Sequence, residues 1–157
     1  MAIQTRVRAH IRWMIRRDLP QVAQIESIDS ENHWSLEELE ARLRVRTCIS
    51  MVCVDPCDTV LAYMMYEPHK NHLRVVNFTV NPKFRRRSVG KHMIEKLQCK
   101  LSERRPTLEL LVREGNLAAQ LFLKRMGFEC DEIVKDWFVD DSGSEHAYHF
   151  VYNLATP

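Results

Sequence analysis

Apolar and polar residues alternate from Val7 through Ala9, Ile11 and Trp13 to Ile15, the period-two pattern of a half-buried strand over about residues 6–16. The period then changes. Val22, Ile25 and Ile28 recur at helical spacing, with Asp18 suited to the N-cap and Pro20 to the first turn. Ser35-Leu36-Glu37-Glu38 reads as a capping box, with Trp34 placed to staple onto Leu39 and with Leu36, Leu39 and Leu43 as a buried face. Strand patterns over 48–54, 60–66 and 73–80 each stop at a turn-forming pair, Asp55-Pro56, Glu67-Pro68 and Asn81-Pro82, and predict an antiparallel meander. Val89, Met93, Ile94, Leu97 and Leu101 then predict a helix, and Pro106 separates it from a strand over 108–112. Asn116 caps a further helix carrying Ala118, Leu121, Phe122 and Met126, and Gly127 closes it in the left-handed conformation. Strands over about 133–138 and 147–154 finish the chain, joined by a polar loop over 140–144. The order is β-α-α-β-β-β-α-β-α-β-β, an α/β fold of the layered α+β kind, with a mixed sheet flanked by helices.

The 157 residues suit one domain spanning 1–157, and no repeat or linker interrupts them. Lys+Arg 23 against Asp+Glu 21 is too balanced to argue for nucleic acid or membrane as a partner. With Gly 4, all in the second half, a glycine-rich dinucleotide or P-loop cradle is excluded. The apolar runs are too short to span a bilayer. Cys48, Cys53, Cys57, Cys99 and Cys130 are odd in number and irregular in spacing, which suits a reducing compartment and hence a cytoplasmic protein. Cys53-x-x-x-Cys57 has no second ligand pair, so no metal is expected. Arg6, Arg8, Arg12, Arg16 and Arg17 resemble a transit peptide in charge, but the strand alternation among them argues for structure.

The chemistry concentrates between Asn77 and Gly90, which run strand, tight turn, basic loop, helix. A helix N-terminus offers unpaired N–H groups and partial positive charge, and Arg85, Arg86 and Arg87 add full charges beside it. That combination binds phosphates. Gly90 permits close approach of a ligand to the first turn.

Arg85-Arg86-Arg87-Ser88-Val89-Gly90 after Val80-Asn81-Pro82 resembles the signature of the GNAT superfamily of acyl-CoA-dependent N-acetyltransferases, Gln/Arg-x-x-Gly-x-Gly/Ala after a strand ending in Val-x-Pro. The resemblance continues through Val112-Arg113-Glu114-Gly115-Asn116, Ala119, Leu121-Phe122 and Met126-Gly127-Phe128, and is strongest to the RimI-like branch, which acetylates protein N-termini. It implies a mostly antiparallel mixed sheet and acetyl-CoA as co-substrate. It also implies a partner that presents an amine, a protein or peptide N-terminus such as that of a ribosomal protein. Backbone groups of Phe78, Thr79 and Val80 are then expected to hold the pantetheine arm and acetyl carbonyl. The amides of Arg85, Arg86, Arg87, Ser88, Val89 and Gly90 are expected to receive the pyrophosphate. Asn116 is expected to hydrogen-bond the pantetheine, and Phe122 to lie beside the thioester.

Three departures bear on mechanism. Ser88 stands where the signature has its first glycine. Leu111 stands where such enzymes often place a basic Glu, with Glu109 two residues earlier on the same strand face, roughly 7 Å away. Phe122 stands where many members have the tyrosine that protonates the leaving thiolate. The groups left to manage protons are Tyr148, Glu109 and Glu31, with His33 beside the last. An α-amine, with pKa near 7.7–8.0, is neutral in roughly one molecule in ten at pH 7, whereas fewer than about one lysine in a thousand is. A site without a strong base therefore handles an N-terminus more readily than a lysine. Lysine or small-molecule acceptors, a non-catalytic acyl-CoA-binding module and an RNA-binding module are the other classes open to this sequence.

Overall fold

A computed structural model describes residues 8–28 and 33–154. Its elements are β1 His10–Trp13, α1 Leu19–Ile28, α2 Leu36–Arg44, β2 Ile49–Val54, β3 Val60–Pro68, β4 His72–Val80, α3 Val89–Gln98, β5 Thr107–Arg113, α4 Leu117–Arg125, β6 Glu129–Asp140 and β7 Gly143–Asn153. Short 3-10 turns occupy Arg16–Asp18 and Pro82–Phe84. This is the order the hydrophobic pattern predicts. The seven strands lie as β1-β2-β3-β4-β5-β7-β6. β4 and β5 run parallel, which α3 makes possible by carrying the chain across, while β1–β2, β2–β3, β5–β7 and β6–β7 are antiparallel.

The described residues form two compact units, one holding those up to Tyr66 together with Asn77–Met93, the other Glu67–Val76 together with those from Ile94 onward. In the first, Met14, Leu19, Val22, Ile25, Leu39, Val52, Val60, Tyr63 and Met65 bury one another. Three expectations for this unit need correcting. The apolar stripe of β1 does not face inward: Trp13 is 77% exposed and Ile15 is exposed, whereas Met14 is buried. The reason is Arg12, whose guanidinium reaches Asp18 Oδ2 at 2.7 Å and Oδ1 at 2.8 Å. Asp18 is itself only 2% exposed, so the Arg12 side chain turns in to meet it, while Ile11 stays half-buried and His10 is exposed. Neither face of β1 is fully buried, and this part-buried ion pair competes with the apolar alternation beside Trp13. The same pair takes Asp18 away from capping α1, and its Oδ2 instead accepts the Ile15 N–H at 2.9 Å. In α2, Ser35 Oγ accepts the Glu38 N–H at 3.1 Å as the capping box requires, but Leu36 is exposed and only Leu39 is fully buried.

In the second unit β5 is the spine. It pairs with β4 from His72↔Thr107 to Val75↔Leu110, where that ladder stops, and with β7 from Thr107↔Asn153 to Arg113↔Ala147 without a break. Its burial alternates, with Leu108, Leu110 and Val112 inward on one face. Gly127 takes φ +91° after α4 as expected, and a Cβ there would come within 3.2 Å of the Tyr152 ring. β6 and β7 run longer than their hydrophobic pattern suggests, because pairing continues to Asp140↔Gly143. β6 is interrupted twice, between Cys130 and Glu132 and between Val134 and Phe138.

Candidate active site

In the first unit, Phe78, Thr79 and Val80 end β4, all half-buried. Asn81 then turns the chain by accepting the Lys83 N–H on its side chain at 3.1 Å. Arg85, Arg86, Arg87 and Ser88 are exposed, and the Ser88 carbonyl accepts the His92 N–H at 3.1 Å, so Ser88 opens α3. Arg86 and Ser88 both take φ +63°. The left-handed conformation costs a residue with a Cβ roughly 1–2 kcal/mol, and it explains physically why a glycine suits position 88. The Arg87 guanidinium lies 5.7 Å from the Phe84 ring centroid. Val89 is buried and Gly90 half-buried, which seats the first turn of α3 while the three arginines face solvent.

The sequence alone does not point to Glu26, on α1. Its carboxylate accepts from the fully buried Tyr63 hydroxyl, from Asn77 Nδ2 at 3.3 Å and from Thr79 Oγ1 at 3.4 Å. Tyr63 lies on β3 and Asn77 and Thr79 alternate along β4, so α1 is fastened to the face of the strand that leads to Val80. Glu31 lies outside the described residues.

In the second unit, Asn116 caps α4 by accepting the Ala119 N–H at 3.2 Å. Gln120 Nε2 donates to the carbonyls of Arg113 and Glu114 at 3.1 and 2.8 Å, and Glu145 accepts from Arg113 and from the Gly115 N–H at 3.1 and 3.0 Å. The turn ahead of α4 is therefore held from both sides. A Cβ on Gly115 would stand 2.9 Å from Glu145 Oε2, the tip of a flexible side chain that can move aside. Phe122 is half-buried on α4, and the Arg113 guanidinium lies 4.1 Å from the Phe138 ring centroid.

Tyr148 and Glu109 are not brought together. Val112 stands opposite Tyr148, and Leu111 opposite His149. Side chains directly opposite share a face and neighbours in sequence do not, so Tyr148 lies with Phe150 and Tyr152 on the face of Val112. Glu109, Leu111 and His149 lie on the other. Glu109 Oε1 meets Arg74 Nε at 2.9 Å and His72 Nε2 at 3.1 Å, and its Oε2 meets His149 Nε2 at 3.0 Å. Burial pushes the Glu109 carboxyl up, but Arg74, His72 and His149 together hold it below its ordinary value. Burial pushes His72 down, and the attraction of Glu109 does not restore it.

The GNAT-type loop, the order of elements and the parallel β4–β5 pair beside the antiparallel β5–β7 and β6–β7 pairs point to one family, and the sequence profile of the acetyltransferase (GNAT) family matches residues 9–128. The chain belongs to the acetyltransferase (GNAT) family. Among solved structures, the ribosomal-protein-S18-alanine N-acetyltransferase from Escherichia coli is similar at 20% identity and TM-score 0.78, covering 95% of this chain and 96% of that one. Arabidopsis thaliana NAA60 in complex with acetyl-CoA is similar at 16% identity and TM-score 0.80, covering 92% and 98%. A spermidine N-acetyltransferase SpeG chimera from Vibrio cholerae and hSSAT is similar at 12% identity and TM-score 0.77, covering 93% and 95%. A comparison with curated protein sequences finds no match. As a GNAT N-acetyltransferase the chain has an activity class, acetyl transfer to an amine; these relatives act on different amines.

Proposed function

We propose that this GNAT protein transfers acetyl from acetyl-CoA to the α-amine of a protein or peptide N-terminus, in the cytoplasm, by direct attack in a ternary complex. The observation that carries the choice of amine is the state of Glu109. It is ion-paired with Arg74 and held below its ordinary pKa, so it attracts a cation well and takes a proton from one poorly. With Leu111 beside it and no carboxylate at that position, an acceptor whose ammonium gives up its proton easily, with a pKa near 7.7–8.0 against about 10.4 for lysine, is favoured. Residues 85–90 would receive the pyrophosphate on the N-terminus of α3 and the arginines beside it. Asn116, whose Oδ1 serves the helix cap, would donate its Nδ2 to the pantetheine. Backbone groups of Phe78, Thr79 and Val80 would hold the pantetheine arm and aim at the thioester oxygen, where charge develops during attack. Phe122 would pack against the acyl end.

The test is mass spectrometry of peptides incubated with the protein and acetyl-CoA. A peptide with a free Ala or Ser N-terminus is expected to gain one acetyl group on that amine, and its N-terminally blocked, lysine-containing counterpart to stay unmodified. Acetylation of the lysine, or of spermidine in preference to both, overturns the reading.

Ser88 gives a second expected result. Ser88→Gly relieves the strain of φ +63° and removes the Cβ at the phosphate cradle. It should bind acetyl-CoA several-fold more tightly in calorimetric titration. Weaker binding by the glycine variant would show instead that the hydroxyl is itself a phosphate ligand.

A further inference from the structure

Beyond the groups named so far, one row of side chains crosses four strands of the second unit. Arg74 on β4 meets Glu109 on β5, Glu109 meets His149 on β7, and His149 Nδ1 meets Asp131 Oδ1 on β6 at 2.6 Å. Asp131 reaches that position because of the first break in β6. Cys130 pairs with Phe150 and Glu132 with His149, which leaves Asp131 as the extra residue of a bulge, and bulges re-aim the side chain they carry. Both nitrogens of one imidazole thus face carboxylates, and that imidazole stands directly across from Leu111.

We propose that His149 is the proton acceptor of the acetyl transfer, with Glu109 holding the acceptor's ammonium and Asp131 positioning the ring. The assignment rests on the proposed α-amine reaction. When the ring is neutral, its Nδ1–H donates to Asp131 and its Nε2 lone pair is left facing Glu109 Oε2 across 3.0 Å, two acceptors without a proton between them. An incoming ammonium supplies what that gap lacks. One N–H bond of the ammonium breaks as an Nε2–H bond forms, and the neutral amine attacks the thioester carbon. The second proton goes to the sulfur as the C–S bond breaks. The proton taken up by His149 is released from Nε2 to water once the product has left, which restores the ring with Nδ1–H still donating to Asp131. The net products are the amide, the thiol and one proton.

The groups around the imidazole agree with this role. Asp131 and the exposed Glu132 face it from β6, Glu109 from β5, and His72 and Arg74 lie behind Glu109 on β4. Burial pulls His149 down, but Asp131 and then Glu109 outweigh it and leave the ring above its ordinary pKa. That brings the base towards the pKa of an α-amine, the matching that makes proton transfer efficient.

The pH profile of kcat/KM with an α-amine peptide tests the assignment. The wild type should rise through the His149 ionisation. His149→Gln should lose about 100-fold at pH 7 together with that limb of the profile. Asp131→Asn should keep most of the rate at high pH but move the limb to lower pH, a shift that a purely structural role does not produce. The acceptor's own ionisation is common to all three proteins and cancels in the comparison. An NMR titration of the imidazole in the enzyme without substrates gives the same pKa without reference to activity, and serves if His149→Gln fails to fold. If the wild type turns over and His149→Gln keeps the limb, or if the ring titrates at or below its ordinary value, His149 is not the acceptor while the α-amine reading stands. A wild type that acetylates no α-amine overturns both.

Discussion

Asp18→Ala is expected to lower the free energy of unfolding by about 3 kcal/mol, the order of cost for stranding a largely buried partner and a backbone N–H. Arg12 loses both short contacts, and the Ile15 N–H loses its acceptor. The effect should extend beyond one pair, because Arg12 is what turns Met14 inward and Trp13 outward. Chemical denaturation of the wild type and variant measures it directly. The pH dependence adds a second arm. Burial pushes the Asp18 carboxyl up, but the hydrogen bonds from Arg12 and Ile15 outweigh it and the group sits below its ordinary value. A carboxyl depressed on folding contributes stability that is present above the unfolded pKa of about 4 and is lost as pH falls through the folded one. Asp18→Asn should therefore be less stable than the wild type at pH 7 and close part of that gap near pH 3. Equal stability at neutral pH would mean that the pair is dispensable and that β1 takes its register from β2 alone.

Replacing Arg85, Arg86 and Arg87 together with alanine should weaken acetyl-CoA binding about 100-fold at low salt, since hydrogen bonds to charged phosphates are worth about 1.5–3 kcal/mol each and solvent exposure discounts them. All three side chains are exposed, so the thermal stability should barely change. Calorimetric titration at two salt concentrations separates the contributions. The charged part fades as salt rises, because exposed charges are screened. The part carried by the N–H groups at the start of α3 persists. Unchanged affinity in the triple variant would assign the phosphates wholly to the backbone, and Arg86 would then matter only for its left-handed turn.

Much of this was legible in the amino-acid sequence. The order of elements follows from period alone, because half-buried strands and amphipathic helices must repeat at 2 and 3.6 residues. The loop at 85–90 was legible for a similar reason. Val-Asn-Pro ends a strand, the arginines follow, and a helix pattern begins, so the chemistry of a helix N-terminus is local in sequence. Asn116 as a cap and Gly127 as a left-handed closure are local features as well, and both are present.

What failed were the inferences that needed a second segment of chain. The alternation in β1 assigned Trp13 to the interior because it weighs apolar residues along one strand. Arg12 and Asp18 decided otherwise, a pair six residues apart in which the buried Asp18 draws in a half-buried Arg12. The sequence offered Tyr148 and Glu109 as separate candidates for proton transfer, and only the β5–β7 register shows that they lie on opposite faces. His149 carried no signal of its own, since a histidine in a strand is ordinary until its neighbours are known. Its two carboxylates come from β5 and from a bulge in β6, respectively 40 and 18 residues away in the chain. The sequence by itself determined the elements and the basic loop ahead of α3, because those depend on periodicity and on nearest neighbours, and its local motifs carried the family resemblance. Only the tertiary structure decided which side chains share a face and which charges meet, because pairing register is a property of two strands and is encoded in neither alone.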